Sequence, residues 1–227
     1  MKLDLKRFNH IPLDDFGVAE RVETDTMRLY RTPQGNLYPS VTTVLSIMDK
    51  TELVAWQQAV GLEEADRVAK RASLRGTLLH DMAESYLNNT FEVKGSNPMI
   101  LNDFLPIKKI LDERVDNIRA TEKQMWSDKL KSAGTMDLFA EYEGELSILD
   151  FKTSRRIKYE DEILGYFIQE SAYTAMVAER VGIWVPNIVT IMMVDGDQNA
   201  LVFKKKSIDY IDKYIKLRRE YELKNGI

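Results

Sequence analysis

The sequence predicts a mixed α/β (α+β) fold, in which helices flank one central mixed sheet and a helical extension precedes it. Two observations support this class. Apolar residues recur at helical spacings of three, four or seven between residues 62 and 87. Segments after residue 118 then follow the order of three strands, a helix, two strands and a helix. This order favours helices packed around a single sheet.

The N-terminal part begins with a hairpin and continues with helices. Residues 28–38 alternate around a Gln-Gly-Asn turn, which indicates two paired strands. The helices predicted here are 41–48 with Ser40 as its N-cap, 51–61, and the long helix 62–87. His80 and Glu84 are four residues apart, so they lie on one face near the end of the long helix.

The remaining elements follow a loop at Gly95-Ser-Asn-Pro98. They are a helix over 99–115, strands over 119–127, 130–142 and 146–153, a helix over 161–181, strands over 188–194 and 201–205, and a last helix ending near residue 225. Turns at Glu143-Gly144-Glu145 and Asp195-Gly196-Asp197 join strand pairs, and Ser207 is predicted to cap the last helix.

We expect a single domain over residues 1–227. It comprises a mainly helical part with the early hairpin (1–118), the sheet with its helix (119–206) and a C-terminal helix (207–227).

The composition excludes several classes of protein and of metal site. The 227 residues are 44% hydrophobic and 30% charged, and no apolar run reaches the length of a transmembrane helix. We therefore expect a soluble, cytoplasmic protein without a signal peptide. The absence of cysteine excludes disulfides, thiolate zinc sites, iron–sulfur clusters and thiol catalysis. With two histidines, a metal site must depend mainly on oxygen ligands, which favours Mg²⁺ or Mn²⁺.

The net charge of −4 argues against a protein that coats nucleic acid through overall charge, but it permits a local basic groove. Basic residues cluster at Arg67-Lys70-Arg71-Arg75, at Arg155-Arg156 with Lys158, and at Lys204-Lys205-Lys206. A solvated face is the alternative interpretation of each cluster.

Two carboxylates and a lysine surround one predicted hairpin. Two like charges about 4 Å apart repel by roughly 4 kcal/mol at an effective dielectric of 20, so a site that gathers Asp137 and Asp150 needs a cation. Lys152 follows Asp150 by two residues, which in a strand places both side chains on one face. A solvated strand is the alternative, but apolar residues surround these charges. Gly134 suits a bulge or kink that re-aims Asp137.

Three further polar residues are ambiguous on their own. A lone histidine late in a helix, such as His80, is commonly a surface residue. Gly76 lies just before it, and a glycine within a helix costs about 1 kcal/mol relative to alanine. Close approach of the backbone to a neighbour or ligand is one reason to accept that cost. Gln169 and Tyr173 share a helical stripe, but ordinary packing explains their spacing equally.

Four motifs in this order resemble the RecB-like branch of the PD-(D/E)xK nucleases. They are Arg75-Gly-Thr-Leu-Leu-His80, Gly134-Thr-Met-Asp137, Asp150-Phe-Lys152 and Gln169-Glu-Ser-Ala-Tyr173. The segment Tyr38-Pro-Ser-Val-Thr-Thr-Val-Leu45 also resembles the mitochondrial genome maintenance exonucleases and their phage relatives. Met136 stands where the superfamily has a proline, a departure that many RecB-like members share. The resemblance, which covers residues 38–173 directly, implies a restriction-endonuclease-like core.

The resemblance also implies a role for individual residues. Asp137 and Asp150 become catalytic carboxylates that bind Mg²⁺ or Mn²⁺, and Lys152 orients the attacking water. His80 and the main-chain carbonyl of Phe151 become further metal ligands. The residues implied in DNA binding are Gln169 and Tyr173 and, with weaker support, Ser40, Thr42, Arg75 and Thr77. Some relatives hold an iron–sulfur cluster through four cysteines, which this chain lacks.

The function expected from the resemblance is that of a metal-dependent DNA exonuclease preferring single strands or free ends. It would act in replication, recombination or repair in a bacterium or a phage-infected cell, with a replication or recombination protein as partner and no membrane association. One alternative is a catalytically silent DNA-binding or recombination-accessory module, against which the joint presence of His80, Asp137, Asp150 and Lys152 argues. Another is a structure-specific endonuclease, which would accept closed circular DNA.

Overall fold

The computed structural model describes residues 3–14, 17–23, 27–48 and 51–226. Its strands are β1 (Glu20–Glu23), β2 (Arg28–Arg31), β3 (Leu37–Pro39), β4 (Val115–Ser127), β5 (Ser132–Tyr142), β6 (Glu145–Ser154), β7 (Asn187–Val194) and β8 (Leu201–Lys206). Its helices are α1 (Val41–Leu45), α2 (Thr51–Val60), α3 (Leu62–Leu87), α4 (Pro98–Arg114), α5 (Leu164–Val181) and α6 (Ile208–Asn225).

The predicted fold class is confirmed, because helices flank a central five-stranded sheet of mixed direction. The strand order is β4-β5-β6-β7-β8, which is also the order along the chain. β6 and β7 are parallel, and the other neighbours are antiparallel. The parallel pair requires a crossover, which α5 supplies. Between β5 and β6 a tight turn has positive φ at Glu143 (54°) and Gly144 (78°), as a two-residue hairpin turn requires.

Helices cover both faces of this sheet. α3 and α4 form one apolar layer with it, in which Phe104 is fully buried, and α5 and α6 form the other, which includes Ile168. Alternate residues of β6 supply the two layers: Leu149 and Phe151 belong to the first, and Ile148 belongs to the second. By the same alternation, the even-numbered residues that follow on β6 point toward α5.

A second, smaller sheet packs beside the first. β1, β2 and β3 are antiparallel, in the order β1-β2-β3, so the predicted hairpin over 28–38 is confirmed and gains a third strand. Tyr30 of β2 is buried with Trp126 and Ala133 of the large sheet. Ser40 forms an isolated parallel bridge with Ala133. These contacts place the small sheet beside β4 and β5.

Several predicted boundaries change. α3 has the predicted bounds, but α4 ends at Arg114 and β4 begins at Val115, four residues before the predicted strand. Ser207 is the N-cap residue of α6, as predicted, but its side chain makes no capping hydrogen bond, since its hydroxyl donates to the Val185 carbonyl at 2.8 Å. Within the described residues, none of the helices is both long and apolar enough to span a membrane.

Candidate functional site

A cavity of about 500 Å³ lies between α3, α5, the small sheet and strands β4 and β5. The predicted site residues that line it are Ser40, Thr42, Thr77, His80, Asp137, Gln169 and Tyr173. The cavity is not lined by Asp150, Phe151 or Lys152. Asp150 and Phe151 nevertheless form hydrogen bonds with residues that line it. Arg75 lines a neighbouring cavity. The four motifs that are separated in sequence therefore meet in one region of the structure.

A group of three potential metal ligands lies in the cavity. His80, Glu122 and Asp137 each offer one ligand atom, and these atoms lie within 4.8 Å of one another. Nδ1 of His80 is 3.4 Å from Asp137 Oδ2 and 3.7 Å from Glu122 Oε1. The other ring nitrogen, Nε2, lies 2.8 Å from the carbonyl oxygen of Phe151. Because a carbonyl oxygen accepts, Nε2 carries a proton in this arrangement, and the contact fixes the orientation of the ring.

Strands β5 and β6 separate where the carboxylates begin. Their pairing runs from Tyr142↔Glu145 to Leu138↔Leu149, and Asp137 is the next residue of β5. The side chain of Asp137 replaces the backbone ladder there, since the N–H of Phe151 donates to its Oδ2 at 2.8 Å. Phe151 thus contacts Asp137 through its N–H and His80 through its carbonyl. This double contact holds the side chains of Asp137 and His80 beside each other.

Glu122 was not predicted as a site residue. Thr121 pairs with Leu138 and Lys123 with Met136, so Glu122 lies across from Asp137 on the neighbouring strand. Its φ of 43° falls in the left-handed region, which costs a residue with a side chain about 1–3 kcal/mol. Such strain inside a strand is typical of functional sites. The predicted strand ends, Ser127 and Leu130, would have placed Ala120 opposite Asp137, whereas the observed pairing of Ser127 with Ser132 brings Glu122 there.

The charges of the cluster shift its pKa values. Burial disfavours a charged His80 ring, but Asp137, Glu122 and Asp150 outweigh burial and raise its pKa to about 9. Burial raises the pKa of Asp137, and the positive charges of His80 and Lys152 oppose that effect. His80 is therefore protonated at neutral pH and provides a cation beside the carboxylates.

Asp150 and Lys152 form a second pair beside the cluster. Asp150 is 1% exposed, its Oδ2 forms an ion pair with Lys152 Nζ, and its Oδ1 accepts from Gln169 Nε2 at 3.1 Å. Burial raises the pKa of Asp150 to about 6, although the Lys152 charge acts in the opposite direction. Burial also acts against the charge of Lys152, but Asp150 and Asp137 raise its pKa above the ordinary value. Asp150 lies outside the three-ligand cluster, with both oxygens in contact with side chains of the protein.

Tyr173 explains why residue 134 is glycine. An ideal Cβ on Gly134 would lie 2.8 Å from the Tyr173 hydroxyl and 2.9 Å from its Cε1. The strand register is regular here, with Gly134 opposite Met125, and the register of β4 and β5 shifts between Asp116 and Ala120 instead. The expected bulge or kink at Gly134 was therefore wrong, and glycine is needed because the ring of α5 packs on the backbone of β5.

Gly76 has no comparable protein neighbour among the described residues. A Cβ at this position would meet Thr153 Oγ1 at 3.8 Å, which is an ordinary contact. The glycine lies within α3 and lines the cavity. No close contact with a described residue therefore accounts for a glycine in the middle of this helix.

The predicted phosphate-binding residues divide into two groups. Ser40 is 2% exposed, and its hydroxyl accepts from the Thr43 N–H at 2.9 Å, so its role as the N-cap of α1 is confirmed. It also contacts the Thr42 hydroxyl at 2.9 Å, beside the cavity. Arg75 instead pairs with Asp103 at 2.8 Å and with Asp195, away from the ligand cluster. The cavity wall also contains Arg21 and Arg28 of the small sheet, which sequence reasoning did not single out.

Most residues of the three basic clusters pair locally. Lys204 contacts Glu143 and Glu145 at 3.1 and 3.0 Å, Lys205 contacts Glu160 at 2.6 Å, and Lys206 donates to Asn187 at 2.8 Å. These contacts fit the interpretation of residues 204–206 as a solvated face.

Comparison with known proteins gives two curated relatives. Over 135 residues the chain is 32% identical to human mitochondrial genome maintenance exonuclease 1, and over 134 residues it is 31% identical to the mouse protein of that name. Each match covers 55% of this chain and 39% of the relative. The chain thus matches well under half the length of these relatives. No protein-family model matches.

Among solved structures, the crystal structure of SSO0001 covers 68% of this chain with a TM-score of 0.32 and 12% sequence identity. The match covers 72% of the chain in that crystal structure, and the similarity is too weak to support an argument. The curated matches, by contrast, support a relationship between this chain and a nuclease.

Proposed function

We propose that this protein is a metal-dependent DNA exonuclease of the PD-(D/E)xK type that hydrolyses phosphodiester bonds, with a preference for single strands or free ends. The observation that carries the proposal is the convergence of His80, Glu122 and Asp137 beside the buried Asp150–Lys152 pair at one cavity. The partial similarity to an exonuclease of genome maintenance gives independent support. In this proposal residues 1–227 act as one nuclease domain.

The ligand cluster fits Mg²⁺ or Mn²⁺. It offers two carboxylates and one imidazole within 4.8 Å, and hard divalent cations prefer such oxygen-rich sets. His80, Glu122 and Asp137 would hold the ion, together with the Phe151 carbonyl once the His80 ring releases it. Asp150 would join them if its contacts with Lys152 and Gln169 rearrange. A bound divalent ion would lower the pKa of water and neutralise charge on the scissile phosphate.

Lys152 supplies a fixed positive charge in this proposal. Its ammonium group is held by Asp150 and lies 5.0 Å from the centre of the Tyr166 ring. A charge fixed in this way needs little reorganisation when negative charge develops on the phosphate. Gln169 keeps Asp150 oriented from the α5 side. In this proposal Lys152 and Gln169 therefore fix the position of the charged groups before substrate binds.

The wall of the cavity is suited to the sugar–phosphate backbone of a strand. Arg21 and Arg28 of the small sheet, Thr42, and Thr77 of α3 line it, and Gly76 would let the strand approach the helix backbone. Arginine and hydroxyl groups are common phosphate contacts in protein–DNA complexes. These residues would position the strand without reading its sequence.

The decisive experiment compares a linear labelled single strand with a closed circular one, each with Mg²⁺ or Mn²⁺ and with EDTA. We expect metal-dependent loss of the linear substrate alone. Asp137→Asn and Lys152→Ala should each lower the rate by about 10²–10³, as is typical when one preorganised electrostatic group is lost. The exposed Asp161→Asn and Lys94→Ala serve as matched controls and should retain activity.

Three outcomes would contradict the proposal in different ways. Cleavage of the circular strand would indicate an endonuclease. Full activity in Asp137→Asn or Lys152→Ala would show that these residues do not form the active site. Binding of DNA without cleavage under every metal condition would favour the catalytically silent alternative.

A further inference from the structure

A second cavity of about 300 Å³ adjoins the first. It lies between the N-terminal half of α3 and the end of β6, and four of its lining residues are arginines. The charged residues that line it are Glu64, Arg67, Arg71, Arg75, Arg155 and Asp195. The proposed catalytic residues His80, Glu122, Asp137, Asp150 and Lys152 do not line this second cavity.

The acidic residues of this cavity neutralise two of the four arginines. Arg67 binds Glu64 through two hydrogen bonds of 2.7 Å. Arg75 pairs with Asp195 and, outside the cavity, with Asp103.

The other two guanidinium groups, those of Arg71 and Arg155, have no hydrogen bond or ion pair with any described residue. Both are exposed, and both act on the carboxylate of Glu64. The pKa of Glu64 is lowered mainly by its hydrogen bond with Arg67, and the charges of Arg71 and Arg155 add to this. Among the described residues, the lining of this cavity therefore carries four arginines against two carboxylates, those of Glu64 and Asp195.

The two cavities are consecutive along one side of α3. Arg67, Arg71 and Arg75 follow at helical spacing, and Gly76 and His80 continue the line into the first cavity. Arg71 precedes His80 by nine residues, which corresponds to roughly 14 Å along a helix axis. The cavities meet where Gly76 of the first faces Thr153 of the second.

We propose that the arginine cavity binds a backbone phosphate of the same nucleic acid strand whose scissile phosphate lies beside His80 and Asp137. This inference rests on the proposed nuclease function. The planar guanidinium group binds phosphate oxygens through paired hydrogen bonds, and Arg71 and Arg155 line the cavity without a hydrogen bond to any described residue. A phosphate held there aligns the strand along α3 and requires substrate on that side of the cleavage point.

The test uses single strands that each carry one neutral methylphosphonate at a different position, with binding measured in EDTA by fluorescence anisotropy. For the wild-type protein we expect a position, distinct from those at the catalytic cavity, where the neutral group weakens binding roughly tenfold, as loss of a charged hydrogen bond does. The double variant Arg71→Gln/Arg155→Gln should bind the unmodified strand more weakly and show no further loss at that position. Its salt dependence should be shallower by about 0.7 per lost phosphate contact.

Lys70→Ala is the matched control, since Lys70 lies on the same helix but pairs with Asp66 at 2.7 Å and does not line the cavity. It should keep the wild-type methylphosphonate profile. If the double variant also keeps that profile, the inference is wrong. If the wild-type protein cleaves no nucleic acid with any metal, the proposed function fails, and the binding profile still decides whether the cavity holds a phosphate.

Discussion

Replacing Gly134 with alanine tests how the wall of the cavity beside His80 and Asp137 is built. The added methyl group would lie 2.8 Å from the Tyr173 hydroxyl and 2.9 Å from Cε1. Tyr173 is 3% exposed and packs in the layer between α5 and the sheet, so moving its ring away from the added methyl group would disturb the packing of that layer. Overpacking of this kind costs about 1–3 kcal/mol. In a chain of this size that cost should lower the melting temperature by roughly 2–12 °C.

A double-mutant cycle assigns this cost to the contact. Urea unfolding is measured for Gly134→Ala, for Tyr173→Leu and for both together. Leucine removes the ring, so Gly134→Ala should cost little in that background, and the coupling should be about 1–2 kcal/mol. Tyr173→Phe removes the hydroxyl but leaves the ring carbon, and should relieve the cost in part. An unchanged urea midpoint for Gly134→Ala, or the same loss in both backgrounds, would refute the reasoning.

Three further predictions concern the site. Gly76→Ala should raise stability by about 0.5–1 kcal/mol, because alanine is favoured within a helix and its Cβ meets Thr153 at an ordinary distance; lower activity in this more stable variant would indicate that substrate approaches the helix backbone. Glu122→Gln should weaken Mn²⁺ binding by about tenfold or more, since even outer-shell changes have effects of that size; unchanged affinity in calorimetry would remove Glu122 from the ligand set. Apparent Mn²⁺ affinity should rise with pH and level off near pH 9, because metal must displace the proton of His80; the same titration from pH 6 to 9 in His80→Ala should lose most of this slope.

The sequence predicted those parts of the fold that local patterns determine. The long helix has the predicted bounds, because its apolar spacing is continuous from Leu62 to Leu87 and Gly61 and Asn88 flank it. The antiparallel pairs of the large sheet followed from short turns between alternating segments. β1 was missed because its four residues, Glu-Arg-Val-Glu, carry too little apolar pattern to predict a strand.

The parts that could not be predicted depend on contacts between distant segments. Arg75 lies in a motif with His80, yet Asp103 and Asp195 orient it toward another cavity. Gly134 precedes Asp137 by three residues, yet the residue that requires a glycine there is Tyr173 on α5. Local sequence reveals neither contact, since each depends on how a helix crosses the sheet.

The site forms where the ladder between β5 and β6 stops, and this has a physical reason. An uninterrupted ladder would satisfy the N–H of Phe151 with backbone, whereas separation of the strands leaves that N–H to orient Asp137. Because side chains alternate along β6, Asp150 points toward α5, where it accepts from Gln169. The backbone carbonyl of the next residue, Phe151, contacts His80 on α3. Charged groups associated with opposite faces of the sheet can therefore meet at this opening. A substitution outside the site that extended the pairing of β5 with β6 past Leu138 would therefore remove the site, although every residue of the site would still be present.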